Sequence, residues 1–450
     1  MKKMVFLFLF LYTGTCFLSC KKLIAVDEPK TQLTPEKAFS DEQSATAVLS
    51  SIYSLFNGSI AGTFFTTMGL YSDELMTTSA NTYTNEYYKS RVTITNSNNQ
   101  NTWRNFYNVI YQCNALLENI AQVNGLDAET MKRLKGEALF LRGVSYFYLV
   151  NIYGDVPRIV TTDVNITSVA SRAPVSTIYE QVIADLSAAK DLLPVTYISG
   201  EKVNANKWAA AGMLARVQLY LGHWNEAEVL CNEVINSGDY TLTIPYAEVF
   251  IKSSPEAILQ FWTLNGFVTP GGLFIPSGTG MPVYPVSAYL LNDFEPNDLR
   301  KTAWLKSTIV GGQTYYYPYK YRNRVTTSGT TAEYLVFMRL AELYLIRAEA
   351  RVHLNALAGA ASDINVIRNR AGLATTGAVS PEELLAAIQQ ERRVELFTEW
   401  GERFFNLKRT GQADAILGSI KTGWKPEAQL LPIPYYEMSN NSSLVQNPGY

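Results

Sequence analysis

The sequence predicts an all-α-dominated fold with helical hairpins, a loop-rich face and minor short strands. Apolar residues recur at spacings of three and four in several long segments, which is the period of a helix with one buried face. Glycine and proline end several of these segments. Between about 237 and 330, Pro, Gly, Thr and aromatic residues replace the helix formers. This change of composition predicts loops.

The first helices are predicted from a start signal and from their apolar stripes. Thr34 before Pro35 is typical of a helix start, because threonine caps the first turn and proline suits its first position. Apolar residues at helical spacing then predict helices over 103–117 and 138–152. The sequence Gly-Asp-Val-Pro at 154–157 is expected to end the second of these helices.

Helix pairs joined by short glycine turns repeat along the chain. Residues 207–222 predict a helix that ends in glycine, and residues 223–235 open the next helix with His-Trp-Asn-Glu-Ala. This order resembles a tetratricopeptide-type hairpin, in which small residues let two helices approach. Further predicted pairs are 339–350 with 358–370 and, more loosely, 132–153 with 174–193. The irregular spacing of the pairs argues against a continuous solenoid.

The region 237–330 is predicted to be loop-rich, and residues 262–285 within it are predicted to form one long loop. Loops of this length inside a compact domain are typically functional, and the many aromatic residues argue against disorder. Within it, the tyrosine-rich run 315–321 follows a glycine turn and predicts a short strand. We therefore expect a ligand-binding face in this region.

The first twenty residues are typical of an exported, lipid-anchored protein. A basic start, the apolar run 4–12 and a small residue before the break indicate a secretory signal peptide over 1–19. Leu-Ser-Cys, ending at Cys20, is typical of a bacterial lipobox, in which the cysteine sulfur receives a diacylglycerol. We expect lipid on Cys20. The alternatives are an ordinary cysteine beside an ordinary cleavage site, or attachment at Cys16.

Charge and composition exclude some functions and leave others open. The 38 Lys and Arg against 40 Asp and Glu give a net charge of −2, which provides no basic surface for nucleic acid. The 28 Tyr and 7 Trp suit a helical core, but they equally suit a surface that stacks on sugars or peptides. Cys113 and Cys231 are expected to be buried free thiols rather than a disulfide, and no spacing of ligands resembles a metal site.

An enzymatic function is disfavoured by the scarcity of catalytic motifs. His223 and His353 are the chain's two histidines, and both are expected to be surface or packing residues near helix ends. HExxH, Walker and dinucleotide motifs are absent from the sequence. A glycosidase needs two carboxylates, and residues 391–402 contain four glutamates. Arginines interleave with them, so we predict a salt-bridged helix with an ion pair between Glu399 and Arg403.

Several motifs together resemble the SusD/RagB family of outer-membrane nutrient-binding lipoproteins. They include Tyr-Gly-Asp-Val-Pro at the end of a helix, an Arg-Leu-Ala-Glu helix, a Glu-Arg-Arg-Val-Glu-Leu segment and the final Gln-Asn-Pro-Gly-Tyr. The motifs lie at residues 136–157, 339–350, 364–372, 391–411, 431–434 and 446–450. The resemblance extends from the lipobox to the last residue.

The resemblance implies a protein with tetratricopeptide-like hairpins, lipid-anchored on the outside of the Gram-negative outer membrane. Family members lie over a SusC-like TonB-dependent barrel, capture oligosaccharide and pass it inward. They are not enzymes, and we expect no cofactor. Peptide capture, as in the RagB branch, is the alternative, and an outer-membrane glycoside hydrolase is a further one. Cell-surface oligosaccharide uptake is therefore the expected function.

The predicted organisation has five parts. The first two precede the folded unit, and the other three form one SusD-like unit. The parts are the signal peptide (1–19), the lipidated tether (20–40), an N-terminal helical part (41–236), the loop-rich candidate ligand face (237–330) and a C-terminal helical part (331–450). The family motifs belong to the scaffold, so they do not indicate which residues bind the ligand.

Candidate ligand residues follow from the chemistry of sugars. A sugar ring presents apolar C–H groups on its faces and hydroxyls at its edge, so a binder needs flat aromatic faces with amide or charged groups beside them. Residues 262–284 combine both best, and residues 71–88 come next. The candidates are Trp262, Asn265, Phe267, Phe274 and Tyr284 in the first segment, Tyr71, Asp73, Tyr83 and Tyr87 in the second, and Trp103 and Tyr315 outside both.

Overall fold

The computed structural model describes residues 35–242 and 245–450, which are mostly helical. The first helices are α1 (Pro35–Ala38), α2 (Glu42–Leu55), α3 (Ala61–Tyr71), α4 (Thr82–Tyr88), α5 (Ser97–Asn119), α6 (Ala128–Tyr153), α7 (Val164–Thr167), α8 (Val175–Leu192), α9 (Lys207–Leu221) and α10 (Trp224–Ile235). The later ones are α11 (Thr269–Phe274), α12 (Ala288–Asn292), α13 (Leu299–Trp304), α14 (Leu340–His353), α15 (Leu357–Arg370), α16 (Pro381–Glu395), α17 (Glu402–Arg409), α18 (Ala413–Ile420) and α19 (Tyr435–Asn440). The predictions for Cys20, the signal peptide and most of the tether lie outside the described residues.

Short strands connect the helical parts in antiparallel pairs. The strands are β1 (Val156–Pro157), β2 (Arg172–Ala173), β3 (Ala257–Phe261), β4 (Leu305–Val310), β5 (Gln313–Pro318) and β6 (Leu335–Arg339). β1 pairs with β2, β3 with β6, and β4 with β5. A π-helical turn at Phe56–Ile60 joins α2 to α3. The predicted all-α-dominated fold is confirmed.

The long helices α5 and α6 begin at capped residues, and α6 ends at the glycine that was predicted to end it. Asn96 and Asp127 accept hydrogen bonds from backbone N–H groups in the first turns of α5 and α6. The helices predicted over 103–117 and 138–152 lie inside α5 and α6, and Gly154 ends α6 with φ 73°. Both predictions are confirmed.

The predicted hairpins pack as antiparallel helix pairs: α6 with α8, α9 with α10, and α14 with α15. Gly222 closes the α9–α10 turn with φ 72°, a conformation that favours glycine. Gly143 lets α6 and α8 approach, because a Cβ there would lie 3.1 Å from the Leu186 Cγ. Small residues thus set the close packing of the helical side.

The region 237–330 contains more regular structure than predicted. β3 is buried along its whole length and pairs with β6, seventy-odd residues later, and three short helices and the β4–β5 hairpin follow it. The prediction of one long loop over 262–285 is therefore wrong at α11, and β3 precedes that loop. The strand predicted over 315–321 is confirmed in part, as β5 ends at Pro318.

Buried ion pairs organise the segment 391–402, for which a salt-bridged helix was predicted. Glu395 accepts from Arg339 at 2.6 Å and from Arg300 at 3.2 Å, and all three side chains are fully buried. Glu399 pairs with Arg339 and does not pair with Arg403 as predicted, because α16 ends at Glu395 and the helical spacing stops there. The predicted ion pair is wrong, and the charges instead join α13, β6 and α16.

The two thiols of the helical part behave as predicted. Cys113 and Cys231 are both buried and free, so the expectation of no disulfide between them is confirmed. Burial raises the pKa of each thiol well above its ordinary value. Of the helices in residues 35–242 and 245–450, none is long and apolar enough to cross a membrane.

Candidate functional site

Two of the predicted ligand segments lie side by side. Residues 74–78, after α3, and residues 282–287, before α12, form a short antiparallel ladder that we call the seam. The N–H of Met76 donates to the Pro285 carbonyl at 2.8 Å, and the N–H of Thr78 donates to the Val283 carbonyl at 3.0 Å. Strand β5 extends the ladder, because the N–H of Val286 donates to the Tyr316 carbonyl at 2.8 Å.

A cavity of about 220 Å³, which we call the seam pocket, opens beside the seam. Its apolar walls include Met76 and Tyr289, which are 41% and 54% exposed. The remaining lining residues are Asp73, Leu75, Tyr88, Lys89, Ser287, Ala288, Ile420, Lys421 and Thr422. The pocket therefore combines an exposed aromatic face with polar and charged groups, which is the chemistry expected of a sugar site.

Asp73 forms part of the pocket wall, and two arginines balance the charge of its carboxylate. Its carboxylate accepts from Arg393 Nη1 at 2.6 Å and from Arg403 Nη2 at 2.8 Å. Burial by itself would raise the pKa of Asp73, but the two guanidinium groups outweigh it and hold that pKa below its ordinary value. Asp73 is thus a structural anion with both oxygens engaged.

Glu74 lies beneath the seam and is fully buried. Its Oε1 accepts a hydrogen bond from the Thr398 N–H at 3.2 Å. Burial raises the pKa of Glu74 to about 7, in spite of the opposing charge of Arg393. The carboxyl group therefore titrates near neutral pH directly under the candidate site.

Lys421 contributes a buried cation to the pocket wall. Its ammonium group donates to the carbonyl oxygens of Leu70 at 2.6 Å and Tyr88 at 3.2 Å, which lie at the C-terminal ends of α3 and α4. Carbonyls at helix C-termini stabilise a cation. Burial lowers the pKa of Lys421 to about 8, so the ammonium form still predominates at pH 7.

The loop after β3 carries the most exposed of the predicted aromatics. Trp262 is 51% exposed, and its carbonyl accepts from Asn57 Nδ2 at 2.8 Å. Asn265 is exposed and Phe267 is half-buried. The loop approaches the seam through α11, where the ring of Phe274 meets the half-buried ring of Tyr284 edge to face at 6.4 Å.

Burial removes several predicted ligand residues from the accessible surface. Tyr71 and Tyr87 are fully buried, and Tyr71 donates its hydroxyl hydrogen to the Ala428 carbonyl at 2.8 Å. Phe274 and Asp73 are also buried. The rings of Tyr71, Tyr87 and Phe274 therefore pack in the structure and present no face on which a sugar ring could stack, whereas Asp73 still lines the seam pocket. Tyr83 is exposed and Tyr315 is half-buried, so for these two ligand contact stays a prediction.

Trp103 lies at a different place, in a groove of about 330 Å³ between α5 and α19. Trp103 is buried, with its ring centroid 4.9 Å from that of Tyr107. Tyr111, one turn further along α5, is 53% exposed at the same groove. Neither helix lines the seam pocket, so Trp103 does not belong to the site formed by the two predicted segments.

The structure adds site residues that the sequence did not indicate. Met76 and Tyr88 lie within the predicted segment 71–88, but they were not selected there. Tyr289 lies just beyond the segment 262–284. Lys421 comes from a distant part of the chain, and its local sequence carries no signal of this position. The two histidines pack elsewhere: His223 bonds to Gln218, and His353 stacks on Trp224.

Comparison with known protein families gives two matches. A family described as "Starch-binding associating with outer membrane" matches residues 26–219, and the SusD family matches residues 300–450. Together the two matches include the helical side and the segment of buried ion pairs.

Similar proteins extend over most of the chain. SusD-like protein P2 of Formosa agariphila is 27% identical over 410 residues, which cover 77% of this chain and 80% of that protein. SusD-like protein P25 of the same organism is 24% identical and covers 97% of both chains.

Solved structures share the fold. A laminarin-binding SusD-like protein is 27% identical with a TM-score of 0.79, over 92% of this chain and 100% of that one. A SusD superfamily protein from Bacteroides vulgatus superposes with a TM-score of 0.81 at 21% identity, over 92% and 100% of the chains. The helical hairpins and the seam therefore occur in an architecture found in other proteins.

Proposed function

This chain belongs to the SusD/RagB family, and we propose that it binds an oligosaccharide at the cell surface and delivers it to a SusC-like TonB-dependent barrel for import. The observation that carries this proposal is the seam. It joins two segments, about 200 residues apart in sequence, that were each selected for sugar-binding chemistry, and it flanks a pocket with an exposed tyrosine. The laminarin-binding neighbour supports a glycan as the ligand.

The seam pocket suits one sugar residue of a longer chain. Ligand pockets for drug-sized molecules are typically about 300–1,000 Å³, and this cavity of about 220 Å³ is smaller. The remainder of an oligosaccharide would extend over the exposed surface of the seam, where Met76 and Val283 are accessible. Such binding needs no catalytic group, and the ligand would leave unchanged.

Calorimetric titration of the full-length protein in detergent with a panel of oligosaccharides tests the ligand proposal. We expect binding without products, and Tyr289→Ala should weaken the affinity about 5- to 30-fold, as truncation of a stacking residue does. Tyr111→Ala is the matched control, since its side chain is exposed to nearly the same extent, 53% against 54%. Peptide binding in place of glycan binding, or cleavage of a glycan, would contradict the proposal.

Lipid anchoring and the transporter are tested on cells. Lipid on Cys20 would hold the protein in the outer-membrane fraction, so Cys20→Ala should release the protein or leave it unprocessed. The native protein, extracted in mild detergent, should co-purify with a TonB-dependent barrel. Unchanged membrane association of the variant would contradict the anchor, and repeated purification without a barrel would contradict the delivery step.

A further inference from the structure

The charges around the seam pocket are unevenly balanced. Lys421 is only 8% exposed, lines the wall, and has its ammonium group fixed by two helix-end carbonyls. The ring of Tyr88 lies 4.8 Å from the same ammonium. Among the described residues, no carboxylate lies within salt-bridge distance of the Lys421 ammonium group. Both of its hydrogen-bond acceptors are neutral carbonyl oxygens. Its positive charge is therefore compensated without direct contact, by the carboxylate of Asp73.

Asp73, the one carboxylate among the described residues that line the pocket, offsets this cation only in part. Asp73 is paired with two guanidinium groups, Arg393 and Arg403. Glu74, behind the seam, is held partly protonated at neutral pH by its burial. Asp293 pairs with Arg393 on the far side. The acidic groups near the pocket are thus engaged by arginines or partly neutral.

Two further cations lie at the rim. Lys89 lines the pocket and is exposed. Arg91 is exposed, and its Nη2 donates to the carbonyl of Thr422, another lining residue, at 3.3 Å. Three cations therefore lie at the wall and rim of the pocket: Lys421, Lys89 and Arg91. The one carboxylate among the described residues that line it is Asp73, which Arg393 and Arg403 already engage. The cations therefore outnumber the carboxylates at the wall and rim, and a small cavity with apolar walls concentrates their field.

We propose that the sugar residue held in the seam pocket carries an anionic group, either a uronate carboxylate or a sulfate ester, that is attracted by Lys421, Lys89 and Arg91. This inference rests on the proposed function and names the class of glycan. The apolar walls at Met76 and Tyr289 take the C–H face of the ring, and the cations take the charged substituent. Carboxylate and sulfate both accept charge-assisted hydrogen bonds, which are the stronger kind.

Titration of the full-length protein with matched oligosaccharides tests the inference. The probes are tetragalacturonate for the carboxylate, a κ-carrageenan tetrasaccharide for the sulfate ester, and laminaritetraose as the neutral glycan. We expect at least one anionic probe to bind tenfold or more tightly than the neutral probe at 25 mM salt. That preference should shrink at 200 mM salt, because the rim charges are exposed to solvent.

Substitution of the rim cations tests the effect of charge on binding separately from any effect on folding. Lys89→Gln and Arg91→Gln should each weaken binding of the anionic probe about 3- to 10-fold, and should weaken it more than binding of the neutral probe. Lys132→Gln, on the exposed surface of α6, is the matched control. Lys421→Met should have the largest effect. The two rim variants keep the test decisive if that variant does not fold.

The outcomes distinguish this inference from the proposed function. Equal or tighter binding of laminaritetraose would overturn the anionic preference and leave oligosaccharide binding intact. Anionic binding that neither rim variant weakens would also overturn it. Binding of none of the three probes would contradict the proposed function together with this inference.

Discussion

Replacing Glu74 with glutamine tests how the floor of the seam is stabilised. The carboxyl group is buried and accepts one hydrogen bond, from the Thr398 N–H. Its pKa rises from 4.5 to about 7 on folding, mainly because burial disfavours the charge. The stability that this group contributes is therefore fully present below pH 4.5 and is lost as the pH rises through about 7.

The size of the effect follows from the two pKa values. One unit of pKa corresponds to about 1.36 kcal/mol. The rise of the Glu74 pKa from 4.5 to about 7 therefore destabilises the folded state by roughly 3 kcal/mol at pH 8.5 and by about 1 kcal/mol at pH 5. Glutamine is neutral at every pH, and its carbonyl oxygen can still accept from Thr398. We expect Glu74→Gln to be more stable than the parent at pH 8.5, with an advantage about 2 kcal/mol larger there than at pH 5.

Urea denaturation at both pH values, followed by tryptophan fluorescence, measures this difference. Glu129→Gln is the control, since that side chain is 82% exposed. Its stability difference from the parent should be small at both pH values. A Glu74→Gln difference that is the same at pH 5 and pH 8.5, or a variant less stable at pH 8.5, would refute the assignment of a buried, nearly neutral carboxyl group.

Three other predictions concern the scaffold. Arg339→Met should destabilise the fold by about 3–5 kcal/mol in urea denaturation, because it leaves Glu395 and its neighbours buried with less positive charge. Gly143→Leu should cost about 1–3 kcal/mol in the same assay by separating α6 from α8. The thiols of Cys113 and Cys231 should resist Ellman's reagent in the native protein at pH 8 and react in urea, because both are buried.

Each of the two scaffold substitutions has a matched control variant. Arg104→Met removes an exposed guanidinium group, and Gly377→Leu adds a side chain where an added Cβ has open space. A loss of stability in these two variants as large as in the buried ones would contradict the argument from packing and buried charge. Rapid reaction of both thiols in the native protein would contradict their burial.

The helical side could be predicted because its signals are local. Periodic apolar residues predicted α5 and α6, and the glycines Gly154 and Gly222 predicted where α6 and α9 end. β3 was missed because a buried five-residue strand has no alternating pattern, and its partner β6 lies far away in sequence. Neither segment has a local sequence pattern that indicates pairing with the other.

The candidate site was predictable in location but less so in its residues. Phe64, Met68 and Tyr71 have the spacing of one helix face, which favours burial of Tyr71, and the stripe that predicted α5 likewise placed Trp103 inward. Aromatic type alone does not distinguish packing from ligand contact. Lys421 reaches the pocket through tertiary packing, which its neighbours in the sequence do not encode.

A crystal structure of the protein soaked with the tightest-binding oligosaccharide tests the central claim most directly. The account predicts a sugar residue in the seam pocket, with its ring against Tyr289 and with further residues along the seam past Met76. Density for the glycan elsewhere, such as the groove beside Tyr111 between α5 and α19, with an empty seam pocket, would contradict the account.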